Sequence, residues 1–371
     1  MVALLGQERK NVGGRPVPGP VIAERVWGTH YVDVSGACPV PLNSAAFGLA
    51  EQLCADPAAV GVAISHTAGV RLIDCGVRTP GSEAAGLAMA RIAMAGLGGI
   101  TVGDVGASTL AATWPDCPYR VVSVASDAPV AACLAAQYAG WKVADDGYFA
   151  MASGPLRAAI GREDLFDVIG HRERPSVAVG LLEARALPPA EVCTRLAADA
   201  GVPPESLTLL VAPTASAAGT LQVVARSLET ALHKLHDLGF DLRRIVRGRA
   251  AAPLPPAGAG KNDLVAIGRT NDAILYGGHA VLEVTGDDAS LAAIAARAVS
   301  GASADHGSPF LDLFERAGRD FYALDPALFA PAVIELVNLD TGTVHRHGEP
   351  APAIVARSFA TRDASRTAAG R

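Results

Sequence analysis

Residues 209–236, LLVAPTASAAGTLQVVARSLETALHKLH, carry the pattern from which the fold can be read. With Leu207 and Thr208, the residues up to Val211 make an apolar run of the length expected for a buried strand. The run ends in Pro213-Thr214-Ala215-Ser216, small residues that suit a tight turn and a helix start. A helix is predicted over 216–238. On a 3.6-residue wheel, Leu221, Val224, Leu228, Leu232 and Leu235 share one face, and Arg226, Glu229, His233 and His236 form a stripe along its flank. A strand, a turn and an amphipathic helix in succession are the unit of an α/β fold.

The same unit recurs in both directions. Asn43 is placed to cap a helix that begins SAAFGLAEQLCA. A strand is predicted over 70–77, then the turn Thr79-Pro80-Gly81-Ser82 and the helix EAAGLAMARIAMAG. Another strand over 119–124 leads through Ser126-Asp127 into an Ala-rich helix reaching Gly140. Beyond it come a strand at 176–182 and a helix at 189–200. Residues 250–260 read as a flexible Pro/Gly loop, 273–284 as strands around Gly277-Gly278, and 332–339 as a late strand. The expected architecture is α/β in two halves dividing near 160–175: an N-terminal α/β domain over 41–165 and a C-terminal one over 166–371. Residues 1–40, with their GGRPVPGP stretch, are expected to be a loose extension, and 360–371 a disordered tail.

Composition supports this class and excludes others. The chain has 371 residues, half of them hydrophobic and only 18% charged, which allows a large core, and aromatics at 5% favour close-packed α/β layers. A net charge of −6 gives no basic footprint, which argues against nucleic acid as a partner. The cysteines (Cys38, Cys54, Cys75, Cys117, Cys133 and Cys193) include no C-x-x-C pair and read as reduced, mostly buried thiols. No apolar run reaches the roughly 18 residues of a membrane span, and no signal peptide is evident. A soluble cytoplasmic protein is expected.

Candidate chemistry is concentrated in a few places. Arg226 and Glu229 are three residues apart on one helix, so their side chains can meet. By spacing alone they read either as a solvated ion pair, worth about 0.3–0.5 kcal/mol, or as a base and a fixed cation for acid/base chemistry on a charged substrate. Glu229, His233 and His236 at i, i+4 and i+7 also suit a metal, although H-E-x-x-H is absent and no cysteine cluster completes a site. The turns Pro80-Gly81-Ser82, Ser153-Gly154-Pro155 and Thr214-Ala215-Ser216 each put hydroxyls and backbone N–H groups near a helix start. There they could bind an anionic or carbonyl-bearing ligand, or simply cap the helix. Asp74-Cys75-Gly76 closes a strand, with Cys75 either a nucleophile or an inert buried thiol. Asp127 and the pair Asn271-Asp272 stand at edges of apolar segments, where they could read a polar ring or act as caps. Neither G-x-G-x-x-G nor G-x-x-x-x-G-K-[ST] is present, leaving a dinucleotide or nucleoside triphosphate site unsupported.

Taken together, DCGVRTPGSEAAG (74–86), DAPVAACLAAQYAGW (127–141), YFAMASGPLRA (148–158), the stretch 209–241, GRTNDAILYGG (268–278), ASADHGSPF (302–310) and DFYALDPALFAPA (320–332) resemble the methenyltetrahydromethanopterin cyclohydrolases. The resemblance covers about residues 42–360 in one order, and ADHGSPF is closer to the bacterial, methylotroph-type branch. The chain departs from the archaeal pattern at Ala128, at Ala304-Asp305-His306-Gly307-Ser308 and over 247–256. The resemblance implies two α/β domains with the substrate in a large cleft between them, assembled as a homo-oligomer, a trimer. It implies reversible hydrolysis of 5,10-methenyl-tetrahydromethanopterin to the 5-formyl product in one-carbon metabolism, with no metal or redox cofactor. The family's catalytic glutamate and arginine fall on Glu229 and Arg226. Asp74, Ser82, Asp127, Ser153, Gly154, Thr214, Ser216, Asn271 and Asp272 are the expected substrate-binding residues. The rival expectations are a metal-dependent hydrolase built on Glu229, His233 and His236, and a non-catalytic pterin-binding protein.

Overall fold

The 209–236 segment supplies the central strand of one sheet and, beyond the turn, two helices rather than one. The computed structural model describes residues 41–256 and 262–361. The expectations for 1–40 and for the tail beyond Thr361 lie outside the described residues. Among the described residues twelve strands form two six-stranded mixed sheets, and helices pack on both, an α/β architecture as predicted.

The first sheet holds β1 (Ala63–Thr67), β2 (Val70–Asp74), β5 (Trp141–Asp145), β6 (Tyr148–Ser153), β7 (Ala178–Glu183) and β8 (Leu207–Ala212), in the order β1-β2-β8-β7-β6-β5. Its centre, β2-β8-β7, is parallel. Every residue of β8 is buried, consistent with its continuous apolar run. The second sheet holds β3 (Gly99–Gly103), β4 (Val121–Ser126), β9 (Ile245–Pro253), β10 (His279–Val284), β11 (Val333–Asn338) and β12 (Val344–Gly348), in the order β12-β11-β10-β9-β4-β3. The strands of the two sheets alternate along the chain: β1 and β2 enter the first, β3 and β4 the second, β5 to β8 the first again, and β9 to β12 the second.

The helices are α1 (Leu42–Ala55), α2 (Glu83–Ala93), α3 (Leu156–Ile160), α4 (Leu165–Ile169), α5 (Ala190–Ala200), α6 (Ala217–Val224), α7 (Ser227–Asp237), α8 (Asp263–Leu275), α9 (Asp288–Ala295), α10 (Phe310–Arg316) and α11 (Pro352–Ala360). Leu228, Ala231, Leu232 and Leu235 of α7 join Ala250, Leu282 and Leu336 in the largest apolar cluster. A Cβ at Gly248 of β9 would come within 2.8 Å of Leu228, so glycine there lets α7 lie close on the sheet.

Four expectations need correction. The single helix over 216–238 is interrupted at Ala225 and Arg226, because the Arg226 amide donates to the Val223 carbonyl at 3.0 Å and tightens the turn. Residues 250–253 are not loop but the buried end of β9, paired with β4, where alanines fit between neighbouring strands without giving a β-branched signal. Residues 273–275 belong to α8, not to a strand; that helix is buried almost all round and so lacks an amphipathic period. The Ala-rich segment after Asp127 is a π-helix, Val130–Gln137, closed by the Tyr138 amide on the Cys133 carbonyl at 2.8 Å.

Candidate active site

The interruption between α6 and α7 sets a buried cation beside a buried carboxylate. Arg226 occupies the break and Glu229 the first turn of α7, and both are buried, at 2% and 0% exposure. Arg226 Nε donates to Glu229 Oε2 at 3.1 Å, and Arg226 Nη2 donates to the Gln137 carbonyl at 3.3 Å. Nε and Nη2 form one edge of the guanidinium, so the carboxylate and the end of the π-helix are held side by side. Glu229 Oε1 has no hydrogen-bond partner among the described residues. The solvated ion pair suggested by spacing is therefore replaced by a buried one, whose charge is worth far more in a poorly polarisable surrounding.

The surroundings hold this pair rigidly. The Gln137 amide Nε2 donates at 3.1 Å to the Ala225 carbonyl, a group the helix break would otherwise leave unpaired. Thr230 Oγ1 donates to the Arg226 carbonyl at 3.0 Å. Tyr138 is sandwiched, with the Arg157 guanidinium 4.8 Å from its ring centroid and the His233 ring stacked at 4.5 Å. Burial, with Glu229 nearby, pushes the Tyr138 phenol and the Cys133 thiol upward. Burial also lowers His233 to about 4, which keeps its ring neutral.

On the other side of the α6 start lies the carboxyl edge of the parallel strands. Asp74 ends β2, and its carboxylate accepts from the amides of Gly76, Val77 and Arg78 at 2.7–2.9 Å, shaping the loop that follows. That loop touches the Thr214–Ser216 turn, since a Cβ on Gly76 would lie 2.5 Å from the Ser216 side chain. Ser82 caps α2 through the Ala85 amide at 2.9 Å, and Ser216 caps α6 through the Gly219 amide at 2.9 Å. The Thr214 hydroxyl donates to Glu183 at the end of β7. Asp263, opening α8, accepts from the Ala215 amide at 2.8 Å and pairs with Arg185 Nε at 2.5 Å. Glu183, Thr214 and Asp263 line a cavity of about 390 Å³, together with Phe149, Met151 and Ile267 among others. Its walls come from the first sheet and from α8.

A protein-family model described as "Cyclohydrolase (MCH)" matches residues 41–359. The chain belongs to this cyclohydrolase family. It is 44% identical over 324 residues to a methenyltetrahydromethanopterin cyclohydrolase of Methylobacterium sp. (strain 4-46), covering 86% of this chain and 97% of that one. The proteins of the same name from Rhodopirellula baltica and Methanospirillum hungatei are 42% and 39% identical over 296 and 294 residues. These alignments cover 79% and 78% of this chain, and 86% and 89% of the relatives.

Not every residue expected to serve this cyclohydrolase lies near the Arg226–Glu229 pair or the turn. Ser153 is the last residue of β6, paired to Leu181 of β7, and Gly154 follows it at φ +90°. Asp127 is exposed, 3.6 Å from Arg247, beside a small separate cavity with Arg249 and Glu283. Asn271 and Asp272 lie inside α8. The Asn271 amide donates to the Ile267 carbonyl at 2.8 Å, and Asp272 accepts from the Phe310 amide at 2.8 Å. Burial raises Asp272 to about 7, against the opposing hydrogen bonds from Ser358 and Phe310. Among the described residues no group of three His, Cys, Asp or Glu side chains is placed to hold a metal, and no helix is long and apolar enough to cross a membrane. Cys75 is buried, its thiol pushed upward mainly by desolvation. Sequence reasoning missed Gln137, Glu183 and Asp263. A carboxylate directly after the apolar run AVGLL was the available signal for Glu183.

Proposed function

We propose that this cyclohydrolase opens the methenyl bridge of 5,10-methenyl-tetrahydromethanopterin to give the 5-formyl carrier, reversibly, with Glu229 moving the protons. The observation that carries the assignment is the buried Arg226–Glu229 pair, in which Arg226 holds one carboxylate oxygen and leaves the other for a water molecule. The amidinium carbon of the substrate is flanked by two nitrogens and already electron-poor, so it needs an aligned water and a base. Glu229 accepts a proton from that water as the C–O bond forms. It returns the proton to N10 as the C–N10 bond breaks, and the remaining hydroxyl proton leaves to solvent as the formyl C=O forms. Arg226 fixes the carboxylate so that its base lone pair does not have to reorganise in the transition state.

The 390 Å³ cavity is of the size that binds small heterocyclic ligands. In this reading Thr214 lies in its wall, Asp74, Ser82 and Ser216 shape the adjoining loops, and the Asn271–Asp272 helix backs it. Ser153, Gly154 and Asp127 stand as outlying contacts to the carrier. No metal or redox cofactor takes part. The assembly is a homo-oligomer, a trimer, in the cytoplasm, acting in one-carbon metabolism. A metal site on α7 finds no support in the geometry: Glu229 is bonded to Arg226 and His233 is stacked on Tyr138.

The test is a spectrophotometric ring-opening assay with the methenyl forms of tetrahydromethanopterin and tetrahydrofolate side by side, before and after chelator treatment. Fast opening of the first, slow opening of the second and indifference to the chelator are expected. Equal rates on both carriers would sink the carrier assignment, and chelator-dependent activity would restore the metal alternative. Binding without any absorbance change would favour the non-catalytic reading.

A further inference from the structure

The turn Ser153-Gly154-Pro155 delivers a second buried arginine to the end of the π-helix. Gly154 takes φ +90°, a conformation that favours glycine, and the chain turns there from β6 into α3. Arg157, in the first turn of α3, is 1% exposed. Its Nε donates to Glu163 Oε1 at 2.9 Å and its Nη2 to Glu163 Oε2, a forked pair that leaves Nη1 for other acceptors. Nη1 donates to the Leu134 carbonyl at 2.9 Å and to the Ala136 carbonyl at 3.4 Å. The Tyr138 amide on the Cys133 carbonyl closes the π-helix, and carbonyls at a helix end need donors from elsewhere. Two successive carbonyls are thus held by two buried guanidiniums, Ala136 by Arg157 and Gln137 by Arg226. The Arg157 guanidinium also lies 4.8 Å from the centroid of the Tyr138 ring, which is stacked on His233, one helical turn beyond Glu229.

We propose that Arg157 is a positioning residue for ring opening: it fixes the end of the π-helix, and through Gln137 and Arg226 it sets the orientation of the Glu229 carboxylate. This rests on Glu229 being the base, as proposed above. Arg157 reaches the pair by two routes. Along the backbone, the Ala136 carbonyl leads to Gln137, whose own carbonyl accepts from Arg226 and whose side-chain amide holds the Ala225 carbonyl at the helix break. Through the rings, Tyr138 is pressed between Arg157 and His233 of α7. A base acts efficiently only when its lone pair meets the attacking water in line, and a displacement of about 1 Å costs on the order of 10²-fold in rate. The charge of Arg157 is matched by Glu163, so the contribution to the catalytic pair is one of geometry. Gly140 makes room for this arrangement, since a Cβ there would lie 2.5 Å from the Glu163 carboxylate and 2.7 Å from the Tyr138 ring. Neither Arg157 nor Glu163 lines the 390 Å³ cavity, so their effect falls on the chemical step and not on binding.

Single-turnover ring opening, with the full chain in excess over the methenyl carrier, tests this in a double-mutant cycle with Glu229→Gln. The measurement separates the rate constant of the chemical step from the half-saturating concentration. Arg157→Lys keeps a charge beside Glu163, but one ammonium cannot serve a carboxylate and two carbonyls at once. Its rate constant should fall about tenfold to a hundredfold, with half-saturation within about twofold of the wild type. In the Glu229→Gln background the same substitution should change the rate by less than about twofold, because no base remains to be misplaced. Glu163→Asp draws the guanidinium back from the carbonyls while keeping both charges. It should show the same pattern with a loss of about threefold to tenfold, and it decides the matter if Arg157→Lys does not fold. An equal loss in both backgrounds means a purely structural role and overturns the proposal. So does a wild-type rate constant in the folded variant, or a loss confined to half-saturation. If Glu229→Gln itself keeps half of the wild-type rate constant, the reading of Glu229 as base fails, and this proposal with it.

Discussion

Arg226 Nε lies 3.1 Å from Glu229 Oε2, and the same guanidinium reaches the Gln137 carbonyl at 3.3 Å, so one buried cation joins the start of α7 to the end of the π-helix. The position of the cation depends on the break after α6. In an uninterrupted helix Arg226 and Glu229 would still be neighbours, but the Ala225 carbonyl that Gln137 binds would be occupied by the helix itself.

Replacing Glu229 by Gln keeps the side chain's shape and removes its basicity. Ring opening should fall by about 10²–10⁴-fold while carrier binding persists. Steady-state kinetics together with equilibrium binding check this, and retention of half the wild-type kcat would show that Glu229 is not the base.

Arg226→Ala leaves the Glu229 carboxylate buried without its partner. Breaking such a pair costs about 3–5 kcal/mol, so denaturant unfolding should show a marked loss of stability along with the loss of turnover. Arg226→Lys should recover part of the stability but little of the rate, because one ammonium cannot hold the carboxylate and the Gln137 carbonyl along a shared edge.

Gln137→Leu fits the volume but leaves the Ala225 carbonyl without a donor. A stability loss of about 1–3 kcal/mol is expected in chemical denaturation. The kcat should fall as well, since the helix break that presents Arg226 loses its support. Full activity in a folded Gln137→Leu protein would show that the break stands without it.

His233 gives a pH dependence with a definite sign. Its folded pKa of about 4 lies below the unfolded value near 6.5, so the folded state resists protonation that the unfolded chain accepts. Stability should be full above pH 6.5 and decline as pH falls toward 4. His233→Phe keeps the stack on Tyr138 but cannot titrate. Between pH 7 and 4.5 the wild type should therefore lose about 2–3 kcal/mol more than the variant. Parallel pH–stability curves would contradict the burial argument.

Asp272 acts in the opposite direction. Burial raises its carboxyl to about 7, so the folded state is penalised as pH climbs from about 4 through 7. Asp272→Asn keeps an oxygen for the Phe310 amide and removes the charge. Relative to wild type it should gain about 4 kcal/mol on going from pH 4 to pH 8, measured by urea unfolding at each pH.

The sequence alone determined the α/β class, because the apolar run of β8, the small-residue turn and the leucine face of α7 are local patterns with fixed periods. It also singled out Arg226 and Glu229, whose spacing puts them in reach of each other whatever surrounds them. It could not give the break between α6 and α7, or the π-helix. Both replace the regular i→i−4 ladder by shorter or longer local bonds, and the carbonyl left over at the break is satisfied by a residue almost ninety positions away, Gln137 on Ala225. Burial likewise belongs to the tertiary structure: α8 is enclosed by other helices and the second sheet, so its sequence shows no polar face, and Asn271 and Asp272 were read as edge residues. Glu183 follows an apolar run in the sequence, but its pairing opposite Met151 and its bond from Thr214 belong to the tertiary structure. Local chemistry chose the residues, and long-range packing decided which of them are dry, because the dielectric around a charge depends on every element packed against it.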